Sequence, residues 1–146
     1  MELDPKFIKA ELLLGRSLIR IGDIEEATAV FEKLVADQPK LMDAHIFLEI
    51  LYSRTDRVPE TIRECETVLQ MFPQDYGSHL ILGKSLAKSG DLTGAIAKLE
   101  QAASVRPQAA EPHLALAEVY DKLGRTADAA EERDKAEHLS PQAPEE

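Results

Sequence analysis

Three histidines are the residues best suited to chemistry in this chain, and they recur at intervals of 34 residues: His45, His79 and His113. Imidazole nitrogens are common zinc ligands, but zinc holds its ligand atoms about 2 Å away. If the interval reflects stacked helices, equivalent histidines lie about 10 Å apart, roughly one helix diameter. We therefore expect these histidines to pack between helices, and we predict no metal site.

No other group of residues indicates catalysis. The sequence contains no G-x-S-x-G, no phosphate-binding loop and no H-E-x-x-H motif. Glu60 and Glu64 form an i,i+4 pair that is typical of a solvated helix face. The single cysteine, Cys65, excludes an internal disulfide and is consistent with a reducing compartment such as the cytoplasm. We expect it to be a small buried side chain. The sequence therefore predicts no enzymatic activity and no cofactor.

The histidine interval belongs to a 34-residue period that runs along the chain. The same interval separates Pro39, Pro73, Pro107 and Pro141. When Ile8, Met42, Tyr76 and Ala110 are counted as first positions, the seventh position is always leucine: Leu14, Leu48, Leu82 and Leu116. Apolar residues at positions 7 and 11, and again at 20, 24 and 27, form two stripes at helical spacing. A period of this length is typical of stacked helix pairs.

The register predicts where the helices begin and end. First helices are expected over about 6–21, 42–55, 76–89 and 111–123, and second helices over about 24–37, 58–71, 92–105 and 126–139. Asp4 before Pro5 indicates a capped start, and Asp23 with Glu26 indicates a capping box. We predict an all-α superhelix, a solenoid of four stacked helix-turn-helix repeats at about 8–41, 42–75, 76–109 and 110–143.

This pattern resembles the tetratricopeptide repeat family, whose signature is W-x2-L-G-x2-Y, then A-x3-F, then P. The first repeat shows it best, in Leu14-Gly15, Ala27, Phe31 and Pro39, and the match covers residues 8 to 141 as a single domain. Tryptophan is missing, because position 4 reads Glu11, His45, His79 and His113. Position 8 departs from the glycine of the signature at Glu49 and Ala117, and position 24 departs from its phenylalanine at Cys65 and Arg133.

The resemblance implies a concave groove lined by the first helices. Carried onto this chain, the candidate peptide-binding residues are Leu12, Arg16, Arg20, Ile46, Ile50, Arg54, Leu80, Lys84 and Lys88. An apolar floor edged with cations suits a protein or peptide segment with apolar and acidic residues. The carboxylate clamp known in the family is absent, because the positions it needs read Leu12, Arg16, Phe47, Gly77 and Ile81.

The net charge of the chain excludes some classes of binding partner. The formal net charge is −10, divided as −2 over residues 1–41, −4 over 42–75, +2 over 76–109 and −6 over 110–146. An acidic chain repels phosphate backbones and anionic lipid surfaces, so we expect neither nucleic acid nor membrane as a partner. No apolar stretch is long enough to span a bilayer, and no leader sequence is visible.

The two ends of the pattern leave alternatives open. Pro5 lies one period before Pro39, so we expect the chain to be a fragment of a longer protein. Leu3 and Phe7 would then lie at an open end, where copies could form a homo-oligomer. The main prediction is a protein–protein interaction scaffold that binds a segment in its groove. The alternatives are a structural or self-assembly module, or an accessory domain of a larger enzyme or secretion or assembly protein.

Overall fold

The computed structural model describes residues 2–139, which form eight α-helices and, within that range, no strand. The helices are α1 Pro5–Ile21, α2 Ile24–Asp37, α3 Met42–Arg54, α4 Val58–Met71, α5 Tyr76–Ser89, α6 Leu92–Val105, α7 Glu111–Lys122 and α8 Thr126–Leu139. The predicted all-α class and the four helix-turn-helix repeats are confirmed, with every helix end within one residue of its prediction. Pro141 and the polar tail lie outside the described residues.

The turn inside the first repeat shows how the sequence ends one helix and begins the next. Gly22 has φ 88°, a left-handed conformation that glycine adopts without strain. The backbone N–H of Asp23 donates to the Leu18 carbonyl at 2.9 Å and not to the Glu26 side chain, so only one of the two hydrogen bonds of the predicted capping box is formed. The Asp23 carboxylate still accepts a hydrogen bond from the backbone N–H of Glu26 at 3.2 Å. In the third repeat, Gly90 and Asp91 take the same roles.

The second and fourth repeats form the same turn, with Asp56 and Gly124 in the left-handed conformation, and add an arginine–tyrosine contact to it. Arg57 lies over the ring of Tyr52, with 4.4 Å from its guanidinium carbon to the ring centroid, and Arg125 lies over Tyr120 at 4.7 Å. The Tyr52 hydroxyl also donates to Glu32 at 2.6 Å, which ties α3 to α2.

The helices form two compact units, divided between Pro73 and Gln74. In the first unit α2 packs against both α1 and α3, and α3 packs against α4. Its core contains Phe31, Leu34, Leu48 and Leu51, all buried. In the second unit α6 packs against both α5 and α7, and α7 against α8. Its core is built around Leu99, Ala102, Leu116 and Val119.

Within each helix pair, position 8 packs against position 24. A side chain at Gly83 would place its Cβ 2.6 Å from Cγ of Leu99, and one at Gly15 would overlap the ring of Phe31, so glycine is required at both places. The second repeat reverses the sizes, because the buried large residue is Glu49 on the first helix.

Its counterpart, Cys65, is the small buried residue on the second helix. The departures from the family pattern at these two positions therefore compensate one another. In the fourth repeat Ala117 is buried, and Arg133 instead turns outward to pair with Asp121.

We expect Leu82→Ala to lower the free energy of unfolding by about 2–5 kcal/mol, because Leu82 is buried and its removal leaves a cavity. Thermal and urea unfolding followed by circular dichroism measure the loss. The matched control is Leu13→Ala, because Leu13 is also a first-helix leucine but is exposed. A melting temperature within about 2 °C of the unmodified chain would contradict the register, since 1 kcal/mol shifts it by roughly 2–8 °C.

The size exchange in the second repeat predicts strong coupling between two substitutions. Cys65→Leu alone should destabilise the first unit by about 1–3 kcal/mol, because Glu49 occupies the space that the larger side chain needs. In the double variant Glu49→Gly/Cys65→Leu, which copies the arrangement of Gly83 and Leu99, most of that loss should be recovered. A double-mutant cycle on the free energy of unfolding should give a coupling of about 0.5–3 kcal/mol. Strictly additive values would show that the two side chains do not share one space.

Candidate protein-interaction surface

In the first unit, three of the predicted groove residues are arginines that project into solvent. Arg16 and Arg20 lie on α1 and Arg54 in the last turn of α3, and all three are exposed. None of them forms an ion pair with another residue in 2–139. A guanidinium in this state keeps all its donors available for a carboxylate.

The apolar candidates of the first unit are only half-buried. Leu12 packs on the edge of the first core, and Ile46 and Ile50 on α3 keep part of their surface in solvent. The position of α3 is set by Phe47, whose ring stacks on Phe31 of α2 with centroids 4.7 Å apart. That contact anchors the helix from which Ile46 and Ile50 are presented.

In the second unit, two predicted cations line an open pocket of about 410 Å³. Its lining comes from α5, α6 and α7: Lys84, Ala87, Lys88, Leu99, Glu111, Leu114, Ala115, Glu118, Val119 and Lys122. Lys84 and Lys88 were among the candidate residues. Lys122 adds a third cation, and Leu114 lies between them as an exposed apolar side chain.

Two leucines that occupy the same position of the repeat differ in their exposure to solvent. Leu80 is 7% exposed and belongs to the core of the second unit, whereas Leu114 is 49% exposed. Leu80, a candidate residue, therefore has little accessible surface, and Leu114 is the more exposed of the two leucines. Its place at position 5 was visible in the sequence, but its exposure was not.

The pocket also contains carboxylates. The Nζ of Lys84 pairs with Oε1 of Glu111 at 2.5 Å, so this lysine already has an acidic partner. Glu118 lies on the same wall, which gives the fourth repeat the acidic character expected from its charge. An acidic ligand would have to displace Glu111 from Lys84, whereas Lys122 forms no ion pair with the described part of the chain.

Two of the recurring histidines are fixed by glutamates of the second helices. His45 Nδ1 lies 2.6 Å from Oε2 of Glu64, and its Nε2 lies 2.8 Å from the carbonyl oxygen of Pro39. His113 Nδ1 lies 2.6 Å from Oε2 of Glu132. These histidines therefore join the two helices of a repeat, as predicted for position 4. Among residues 2–139 no three His, Cys, Asp or Glu side chains are placed to hold a metal ion.

The environment of Cys65 makes its thiol unreactive. Burial raises the pKa of its thiol well above the usual range, and the carboxylate of Glu49, to which the thiol is hydrogen-bonded, raises it further. The thiol therefore stays protonated at neutral pH and is a poor nucleophile.

Comparison with known proteins agrees with this architecture. Three solved structures named MamA have a similar fold. One labelled MSR-1 has 23% identity and TM-score 0.84 over 94% of this chain and 80% of its own. One labelled AMB-1 has 24% identity and a TM-score of 0.86, over 90% of this chain and 78% of its own. The third, MamA from Desulfovibrio magneticus RS-1, has 20% identity and a TM-score of 0.86, over 90% of this chain and 75% of its own. No curated protein sequence matches, and none of the helices described is long and apolar enough to cross a membrane.

Family models agree with the period seen in the sequence. A model described as tetratricopeptide repeat matches residues 50–103 and 80–144, and a second model of the same description matches residues 9–40. The first of these covers more than half of the chain. The chain therefore belongs to the tetratricopeptide repeat family, and this membership indicates a protein-interaction scaffold.

Proposed function

We propose that this chain is a non-catalytic scaffold that binds a protein or peptide segment on its first helices, and that the segment carries apolar and acidic residues. The observation that carries the proposal is the pocket of the second unit, where exposed Leu114 is surrounded by Lys84, Lys88 and Lys122. An apolar side chain of the ligand would cover Leu114, and its carboxylates would reach the lysines.

The first unit supports the same class of ligand. Arg16, Arg20 and Arg54 have no carboxylate partner within the described residues, although the chain as a whole carries an excess of carboxylates. A planar guanidinium binds a carboxylate through two parallel hydrogen bonds, which favours Asp, Glu or a chain terminus over a neutral group. The partly exposed Leu12, Ile46 and Ile50 supply the apolar part of the contact.

The two kinds of contact should have separate roles. Exposed charges at the edge of an interface mainly accelerate association and are screened by salt. Apolar side chains that become buried mainly slow dissociation and are insensitive to salt. Within this proposal the basic residues therefore select an acidic partner, and Ile46 and Leu114 retain it.

A random peptide library selected on the immobilised chain should yield sequences rich in Asp or Glu and in Leu, Ile or Phe. A selected peptide can then be titrated against variants by fluorescence anisotropy. Arg16→Glu combined with Lys84→Glu should weaken binding several-fold at low salt, and much less at about 1 M salt, where the screening length is about 3 Å. Ile46→Asp and Leu114→Asp should each weaken binding by about 30-fold or more at either salt concentration.

The matched controls are Lys33→Glu on α2 and Lys98→Glu on α6, which change the same charge on second helices. These controls should bind as the unmodified chain does, and circular dichroism should show all variants folded. Binding that survives the first-helix substitutions but is lost in the controls would assign the function to the second helices and refute the proposal.

A further inference from the structure

One face of α7 carries charges in a fixed order along the pocket of the second unit. Four exposed residues of this helix line the pocket: Glu111, Leu114, Glu118 and Lys122. Because they follow one another at intervals of three or four residues, they form a single row on the helix. With a rise of 1.5 Å per residue, the last three lie about 4.5, 10.5 and 16.5 Å from Glu111 along the axis.

The pocket has a cation at each end of this row. At one end, Nζ of Lys84 on α5 pairs with Oε1 of Glu111, and both side chains are exposed. Exposed ion pairs are weak, so a carboxylate of a ligand can replace Glu111 on this lysine. At the other end, Lys122 forms no ion pair with the described part of the chain. Two carboxylates of one ligand can therefore be held about 16 Å apart, the length of α7 between these ends.

The middle of the row favours other residue types. Leu114 is 49% exposed and lies close to the Lys84 end, where it can be covered by an apolar side chain. Glu118 lies between the two cations and has no ion pair within residues 2–139. Its carboxylate repels a third acidic residue and attracts a basic one. Glu118 therefore distinguishes separated carboxylates from a continuous acidic run.

We propose that the pocket of the second unit selects an extended segment with two acidic residues five positions apart. An apolar residue follows the first acidic residue, and a neutral or basic residue faces Glu118. The spacing follows from the rise of an extended chain, since about 16.5 Å at roughly 3.3 Å per residue corresponds to five residues. This inference rests on the proposed function and adds to it the order of residues in the ligand.

The probe is the end-blocked hexapeptide Glu-Leu-Ser-Lys-Ser-Glu. Its matched control is Glu-Leu-Ser-Glu-Ser-Lys, which has the same composition and the same net charge. Both are also made with the sequence reversed, so that either direction along α7 is tested. Titration of each peptide into the isotopically labelled full chain, followed by nuclear magnetic resonance, measures weak affinities and shows which helices respond.

In the direction that binds better, the probe should bind at least about three-fold more tightly than its control at low salt. The control places an acidic residue against Glu118 and a basic residue against Lys122, so two attractive contacts between exposed charges become repulsive. The difference should shrink at about 1 M salt, where charges are screened.

Glu118→Lys should reverse the preference, because the acidic residue in the middle of the control peptide then faces a cation. The matched control variant is Glu100→Lys on α6, which makes the same charge change at an exposed residue that does not line the pocket. It should leave the preference unchanged. Circular dichroism should show both variants folded, since both glutamates are exposed.

Equal binding of probe and control in both directions, or a preference that Glu118→Lys leaves unchanged, would overturn this inference. If Leu114→Asp still weakens the binding in that case, the proposed function stands without it. Absence of saturable binding by all four hexapeptides would overturn the inference as well. Whether the peptide library yields a ligand for the first helices then decides the proposed function separately.

Discussion

The stability of each unit depends on the burial of one helix face beneath the preceding helix. A single helix pair cannot bury both of its apolar faces, so each first helix needs a neighbour in front of it. The leucines at position 7 make this dependence visible. Leu48 and Leu116 have such a neighbour in α2 and α6 and are buried, whereas Leu14 has none among the described residues and is half exposed. The same side chain is thus core in one repeat and surface in another.

This dependence explains why so much of the fold could be predicted from the sequence. The apolar stripes, the glycines that end helices and the aspartates that begin them are local signals, and each recurs in several repeats. The caps at Asp4 and Asp23 show that local chemistry was sufficient to place the helix ends. What could not be predicted were the exchanges between positions. Glu49 and Cys65 each violate a column of the pattern when taken alone, and only their contact shows that one violation compensates the other.

Prediction of the candidate surface from the sequence is limited in the same way. The period places Leu80 and Leu114 at one position and gives them one role. Their exposure differs, however, because it depends on how deeply each residue packs into its own unit. The ion pair between Lys84 and Glu111 joins two repeats and therefore depends on the packing of α5 near α7, which no single-repeat pattern contains. Residue types on a solvent face can be predicted from the register, but their partners require the packed structure.

Since the helix seams are largely apolar, the charges on the outside of the helices are free to differ from one repeat to the next. They do differ in this chain. α1 and α5 are basic, whereas α2, α4 and α8 are acidic. Polar exceptions such as the buried His45 and the partly buried His113 are paired with glutamates inside a repeat, where they hold the helix pair together. The exposed charges are therefore not fixed by the fold, and the basic helices α1 and α5 are electrostatically the most complementary to an acidic segment.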